Sequence, residues 1–178
     1  MDPPIIKNIE MRIKKITKIV GTSILIILFI SIYNSVYFDI PKKEIIAKHA
    51  KGSSDFLELA DGSEIHFRDE GNKDGRVLLL VHGFNGSLFN YEPLVPYLSD
   101  NYRVISLDLP AHGLTGAVKS DLYSHKAYQN VIEEVVKILE VDKFYFVGHS
   151  MGGMIAWRYA LDNLDQLNGL IIIGSAFF

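Results

Sequence analysis

Apolar positions are spread unevenly along the 178 residues, and their spacing changes character several times. Ile19 to Phe38 contains no charged residue and includes the run ILIILFI. As a helix rising about 1.5 Å per residue, that stretch would reach roughly 30 Å, the thickness of a bilayer's hydrocarbon core. From Asp39 to Ser54 polar and charged residues dominate, with Pro41 and KGSS, which is the composition of a linker. Strict alternation follows. FLELADGSEIHFRDEG sets Leu57 and Leu59, then Ile65 and Phe67, around the Asp61-Gly62 turn pair, and so predicts an antiparallel β-hairpin.

Beyond Gly75 the pattern changes again. RVLLLVHG (76–83), YRVISLDLP (102–110), KFYFVGHS (143–150) and GLIIIGSAFF (169–178) are continuous apolar runs, as strands buried on both faces should be. Between the second and third, residues 124–141 put Val131, Val135, Ile138 and Leu139 on one face and Glu133, Glu134 and Lys137 on the other, a helical period. A second helix is predicted from Met151. Residues 87–99 form a weaker helix, because Pro93 and Pro96 fit only its first turns or a break. A hairpin leading into alternating strands and helices predicts an α/β fold with a mostly parallel sheet. Such sheets place ligand sites at the carboxyl ends of their strands.

Composition narrows the reading. The length suits one domain with a real core. A formal net charge of −3, with no dense basic patch or interleaved aromatics, excludes nucleic acid as a partner. No metal cluster, phosphate loop or cofactor signature appears, so no cofactor is expected. The apolar run could be a core helix or a cleaved signal. Its only polar residues are Thr, Ser and Asn, and the flank SIYNSVYFDIPKKE is bulky where a cleavage site needs small residues. The chain has no cysteine for lipidation, and Tyr33, Tyr37 and Phe38 suit an interfacial aromatic belt. The expected organisation is a basic cytoplasmic N-terminus (1–18), a transmembrane anchor in contact with membrane lipid (19–38), a linker (39–54) and a catalytic-type domain (55–178). Lys7, Arg12, Lys14, Lys15 and Lys18 precede the span, whereas Lys42, Lys43, Lys48 and Lys51 follow it. The positive-inside rule then sets a single pass with the N-terminus in the cytoplasm and the domain outside.

The candidate chemistry falls at strand ends: His82-Gly83-Phe84, Asp108 to Gly113, and Ser150. In Gly148-His149-Ser150-Met151-Gly152, a serine sits at a sharp strand-to-helix turn whose strained backbone crowds its neighbours. Glycines two residues before and after Ser150 relieve that crowding. The helix starting there turns its positive end, with the Met151 amide, toward a developing oxyanion. Gly153, Ala156 and Ala160 let the helix pack closely on the sheet. His82, His149 and His112 are expected to organise loops, His66 to be a hairpin residue, and Asp108 to anchor the loop DLPAHGLT.

From about Asp55 to Phe178 the chain resembles the N-terminal half of an α/β-hydrolase fold protein. The motifs LADGSEIHFRDEG, LLLVHGFNGS, ISLDLPAHGLT, VGHSMGG and LIIIGSA carry the likeness, in that order. GHSMGG is most similar to small esterases and lipases of the family. The resemblance implies Ser150 as nucleophile, the amides of Met151 and Phe84 as oxyanion hole, and hydrolysis of an ester, thioester or amide through an acyl-enzyme, with a small acyl ester as the expected substrate. It also implies Ser, then Asp or Glu, then His along the chain. Downstream of Ser150 stand only Asp162 and Asp165, and no histidine. The sheet would stop after about its sixth strand, leaving an open apolar edge. Two readings follow. In the first, the chain is a C-terminally truncated membrane-anchored serine esterase that lacks the triad acid and histidine and is itself inactive; in the second, it is a complete but non-catalytic α/β-hydrolase remnant acting as an interaction module.

Overall fold

A computed structural model describes residues 3–36, 39–120 and 123–175. The chain divides into two units, Met1–Pro41 and Lys42–Phe178. In the first, one helix, α1 (Pro4–Ser35), runs without interruption and is long and apolar enough to cross a membrane. Pro4 suits its start, because the first turn has no intrahelical acceptor for the missing N–H. The helix extends well N-terminal of the apolar run, so the basic stretch before Ile19 is helical too. Tyr37 and Phe38, read as part of the aromatic belt, lie outside the described residues.

The second unit opens with a short helix, α2 (Lys42–His49), inside the stretch read as a linker. Strands β1 (Ser54–Glu58) and β2 (Glu64–Gly71) form the predicted antiparallel hairpin, turning at Gly62 with φ 75°. β3 (Arg76–Val81), β4 (Tyr102–Leu107), β5 (Phe144–His149) and β6 (Leu167–Ile173) complete a sheet of order β1-β2-β4-β3-β5-β6. β2 pairs antiparallel with β4, and the pairs from β4 to β6 are parallel. The chain leaves β3 toward β4 on one side and returns to β5 on the other. This reversal opens a crevice at the strands' carboxyl ends, where ligands bind in such sheets.

Both faces of the central strands are covered. Leu79 and Val81 of β3 meet Ile132 and Val135 of α4 (His125–Ile138) and Ile155 and Tyr159 of α5 (Met151–Asp162). Leu78 and Leu80 meet Tyr91 and Val95 on the opposite face. α4 differs from its sequence pattern in one respect: Ile132 and Val136 enter the core, whereas Ile138 is 45% exposed near the helix end. The 87–99 region is a 3₁₀ turn (Leu88–Tyr91) followed by a single turn, α3 (Val95–Leu98), with the prolines at the break and the first turn. Among the described residues β1 and β6 are the sheet's two edges, and Leu170, Ile171 and Ile173 of β6 are exposed. Its strand ends at Ile173. Ser175 is the last described residue of the run read as the final strand.

Candidate active site

Ser150 is the N-cap of α5, at φ 51° and ψ −115°. L-residues avoid this region, and such strain concentrates at functional sites. The turn is held open by absent side chains. A Cβ on Gly148 would fall on the carbonyl of Gly152, and one on Gly152 would fall on the carbonyls of Val81 and His82. A Cβ on Gly83 would lie 2.9 Å from the Ser150 Cβ and 3.0 Å from His149 Nδ1, so the loop after β3 lies directly against the serine. The Ser150 amide donates to the Ile173 carbonyl at 2.9 Å, which ties the elbow to the end of β6.

The Ser150 side chain does not cap α5. As the first residue of α5, Met151 has no intrahelical acceptor for its N–H. Among the described residues, the Phe84 amide is likewise not bonded to another protein group. The loop carrying it is turned by Asn85 at φ 55°. The Phe84 ring is exposed and meets the His112 ring edge-on at 6.1 Å. Next to the elbow, a cleft of about 260 Å³ is lined by His82, Asn90, Tyr91, His149 and Ile173. Asp162 and Asp165 stand at the far end of α5 and in the turn after it.

His82 is buried, with its tautomer fixed from both sides. Its Nδ1 lies 2.8 Å from the Gly83 carbonyl, and its Nε2 accepts from the Leu109 amide at 3.1 Å. The ring therefore carries its proton on Nδ1, and a second proton would break the Leu109 bond. Burial pushes the pKa of His82 below its ordinary value of 6.5, against the opposing pull of the Gly83 carbonyl and the Asp108 carboxyl. The unfolded chain then binds a proton at higher pH than the folded one. The stability contributed by neutral His82 is complete above the ordinary value and is lost as pH falls through the lowered one. In urea denaturation, the advantage of the wild type over His82→Gln is expected to shrink between pH 7.5 and 5. An unchanged gap would rule out this titration as a determinant of acid stability.

The centre of the loop framework is a pair that the sequence did not reveal. His66 and Asp108 are both fully buried, with His66 Nδ1 2.7 Å from Asp108 Oδ2. Asp108 Oδ1 accepts from the Leu88 amide at 2.7 Å, and Oδ2 also accepts from the Leu114 amide at 2.8 Å. Thr115 Oγ1 donates to the Asp108 carbonyl and accepts from the His66 amide. One carboxyl group thus joins β2, the segment after the Gly83-Phe84 loop, and the loop after β4. All six histidines of the chain precede Ser150. Among the described residues none is hydrogen-bonded to the Ser150 hydroxyl.

A mostly parallel sheet with a serine on a strained strand-to-helix turn at its crevice defines the α/β-hydrolase architecture. Residues 76–178 match the alpha/beta hydrolase fold family, and the chain belongs to it. Its relatives carry differing names. YugF of Bacillus subtilis, an uncharacterised hydrolase, is 34% identical over 119 residues, which is 65% of this chain and 42% of that protein. The magnesium-chelatase 30 kDa subunit of Rhodobacter capsulatus is 38% identical over 94 residues, 53% of this chain and 33% of that one. The crystal structure of a hydrolase from Pseudomonas aeruginosa superposes with a TM-score of 0.65 at 25% identity, covering 70% of this chain and 47% of the other. The chain spans less than half the length of these curated relatives.

Proposed function

We propose that these residues carry the nucleophile half of a membrane-anchored serine hydrolase acting on small carboxylic esters. Ser150 attacks the acyl carbon, the alcohol leaves, and water hydrolyses the acyl-enzyme. The amides of Met151 and Phe84 receive the oxyanion. The observation that carries this reading is the Ser150 backbone at φ 51° and ψ −115°, followed directly by a helix whose first amide has no intrahelical acceptor. The triad acid and histidine belong to the part of the family's fold that these 178 residues do not span. His82, Gly83, Gly148, His149 and Gly152 shape the elbow and its facing loop without touching the reacting atoms. α1 anchors the protein in a single pass, with the basic segment before Ile19 in the cytoplasm and the hydrolase unit outside. Turnover of a short-chain p-nitrophenyl ester is the test, in a polypeptide that continues residues 1–178 to the length of the relatives. Hydrolysis that depends on Ser150 supports the reading, and hydrolysis that survives its removal refutes it.

A further inference from the structure

α1 carries a second pattern beside its apolar character. It runs for 32 residues, roughly 48 Å, whereas a hydrocarbon core takes up about 30 Å. The segment before Ile19 therefore continues along the helix axis beyond the core. In that segment Ile6, Ile9, Ile13 and Ile16 recur at alternating spacings of three and four, and each is about half exposed. With Ile6 as position a of a heptad, all four occupy a or d. Lys7, Lys14, Lys15 and Lys18 all fall at b, c or f, away from the stripe. Of the charged residues between Ile5 and Lys18, only Glu10, at e, and Arg12, at g, flank it. In a parallel pairing Arg12 faces Thr17 of the neighbour and Glu10 faces Ile5, so no like charges meet.

The phase continues into the apolar run. Val20 and Ile27 keep position a, and Ile30 keeps d. The polar residues on the same stripe are Ser23, at d, and Asn34, at a. Off the stripe, Thr22 and Ser35 return their hydroxyls to their own helix, at the carbonyls of Lys18 and Ser31. Lipid tails give apolar side chains no drive to associate, so small and polar seam residues such as Ser23 and Asn34 hold helices together there. In water, burial of the isoleucine stripe does so. From Ile6 to Val20 the stripe is set off by Lys7, Lys14, Lys15 and Lys18 on the other faces, and beyond Ile19, where apolar residues stand on every face, Ser23 and Asn34 mark its continuation.

We propose that α1 packs against α1 of other copies of this chain, parallel and in register, along this heptad seam. Copies inserted in one orientation are parallel at the same depth, so each seam residue meets its own equivalent. An anionic lipid surface would also accept a basic, apolar-striped helix. However, α1 has no break between Lys18 and Ile19 that would let the segment turn into the membrane plane. The portion after Lys18 rests on α1 spanning a bilayer.

The chain contains no cysteine, so single cysteines report without interference. In membranes holding the full chain, oxidation of Ile9→Cys or Ile16→Cys is expected to give covalent dimer at least about ten-fold above Met11→Cys or Lys18→Cys. A second substitution, Ile13→Lys, is expected to remove the Ile9→Cys product. Equal crosslinking at all four positions, or none at Ile9 and Ile16, overturns the proposal, and the latter is the result for a segment lying on lipid. Alkaline extraction of the same membranes reads the anchor separately. Chain released by alkali with its seam crosslinks intact refutes the spanning helix and leaves the seam standing.

Discussion

Ser150→Ala is expected to lower ester turnover by about 10⁶-fold in a polypeptide that carries the acid and the histidine, the scale seen when a triad nucleophile is removed. The fold should scarcely change. Alanine meets the same φ of 51° as serine, and the hydroxyl caps nothing, so unfolding free energy should stay within about 0.5 kcal/mol of wild type. The same substitution in residues 1–178 alone is expected to have almost no effect on rate. Triad members act as a unit, and a serine without its base gives little more than the oxyanion hole alone. Comparable large losses in both contexts would mean that a group within these residues activates the serine.

Asp108→Ala is the substitution expected to damage the fold most. It strands the Leu88 and Leu114 amides and the His66 ring, all in buried surroundings. Each unsatisfied buried group costs about 1–3 kcal/mol, and breaking a buried pair typically costs 3–5 in all. A loss of about 3–5 kcal/mol in urea denaturation is therefore expected. Because Leu88 follows the loop that bears Phe84, the variant should also loosen the facing wall of the elbow. A loss below about 1 kcal/mol would show that the loops hold themselves without the carboxyl group.

The elements legible in the sequence were those whose surroundings follow from their own period. β3, β4 and β5 read as two-faced strands because Leu78 and Leu80 fill one face while Leu79 and Val81 fill the other. The elbow read clearly because its glycines are required by backbone contacts that any side chain would occupy. Asp108, expected to anchor the loop DLPAHGLT, makes the hydrogen bonds of an anchor. His66 was legible only as a hairpin residue. Alternation puts it opposite Ile65 and Phe67, on the face that a half-covered hairpin leaves to solvent. In the molecule β2 lies between β1 and β4, and Phe56 and Phe89 pack against the ring at 5.0 and 5.8 Å. That burial comes from tertiary neighbours more than twenty residues away in the case of Phe89, and no local pattern encodes it. The same holds for α4, where docking against β3 and α5, not periodicity alone, decided that Ile132 and Val136 enter and Ile138 does not.

Ser150 as the nucleophile is checked by treating the polypeptide continued to the relatives' length with a fluorophosphonate and locating the adduct by peptide mass spectrometry. Such a probe reacts with an activated serine, so one adduct is expected, on the peptide containing Ser150 and absent in Ser150→Ala. An adduct on another residue, or an active ester hydrolase in which Ser150 stays unlabelled, would contradict it.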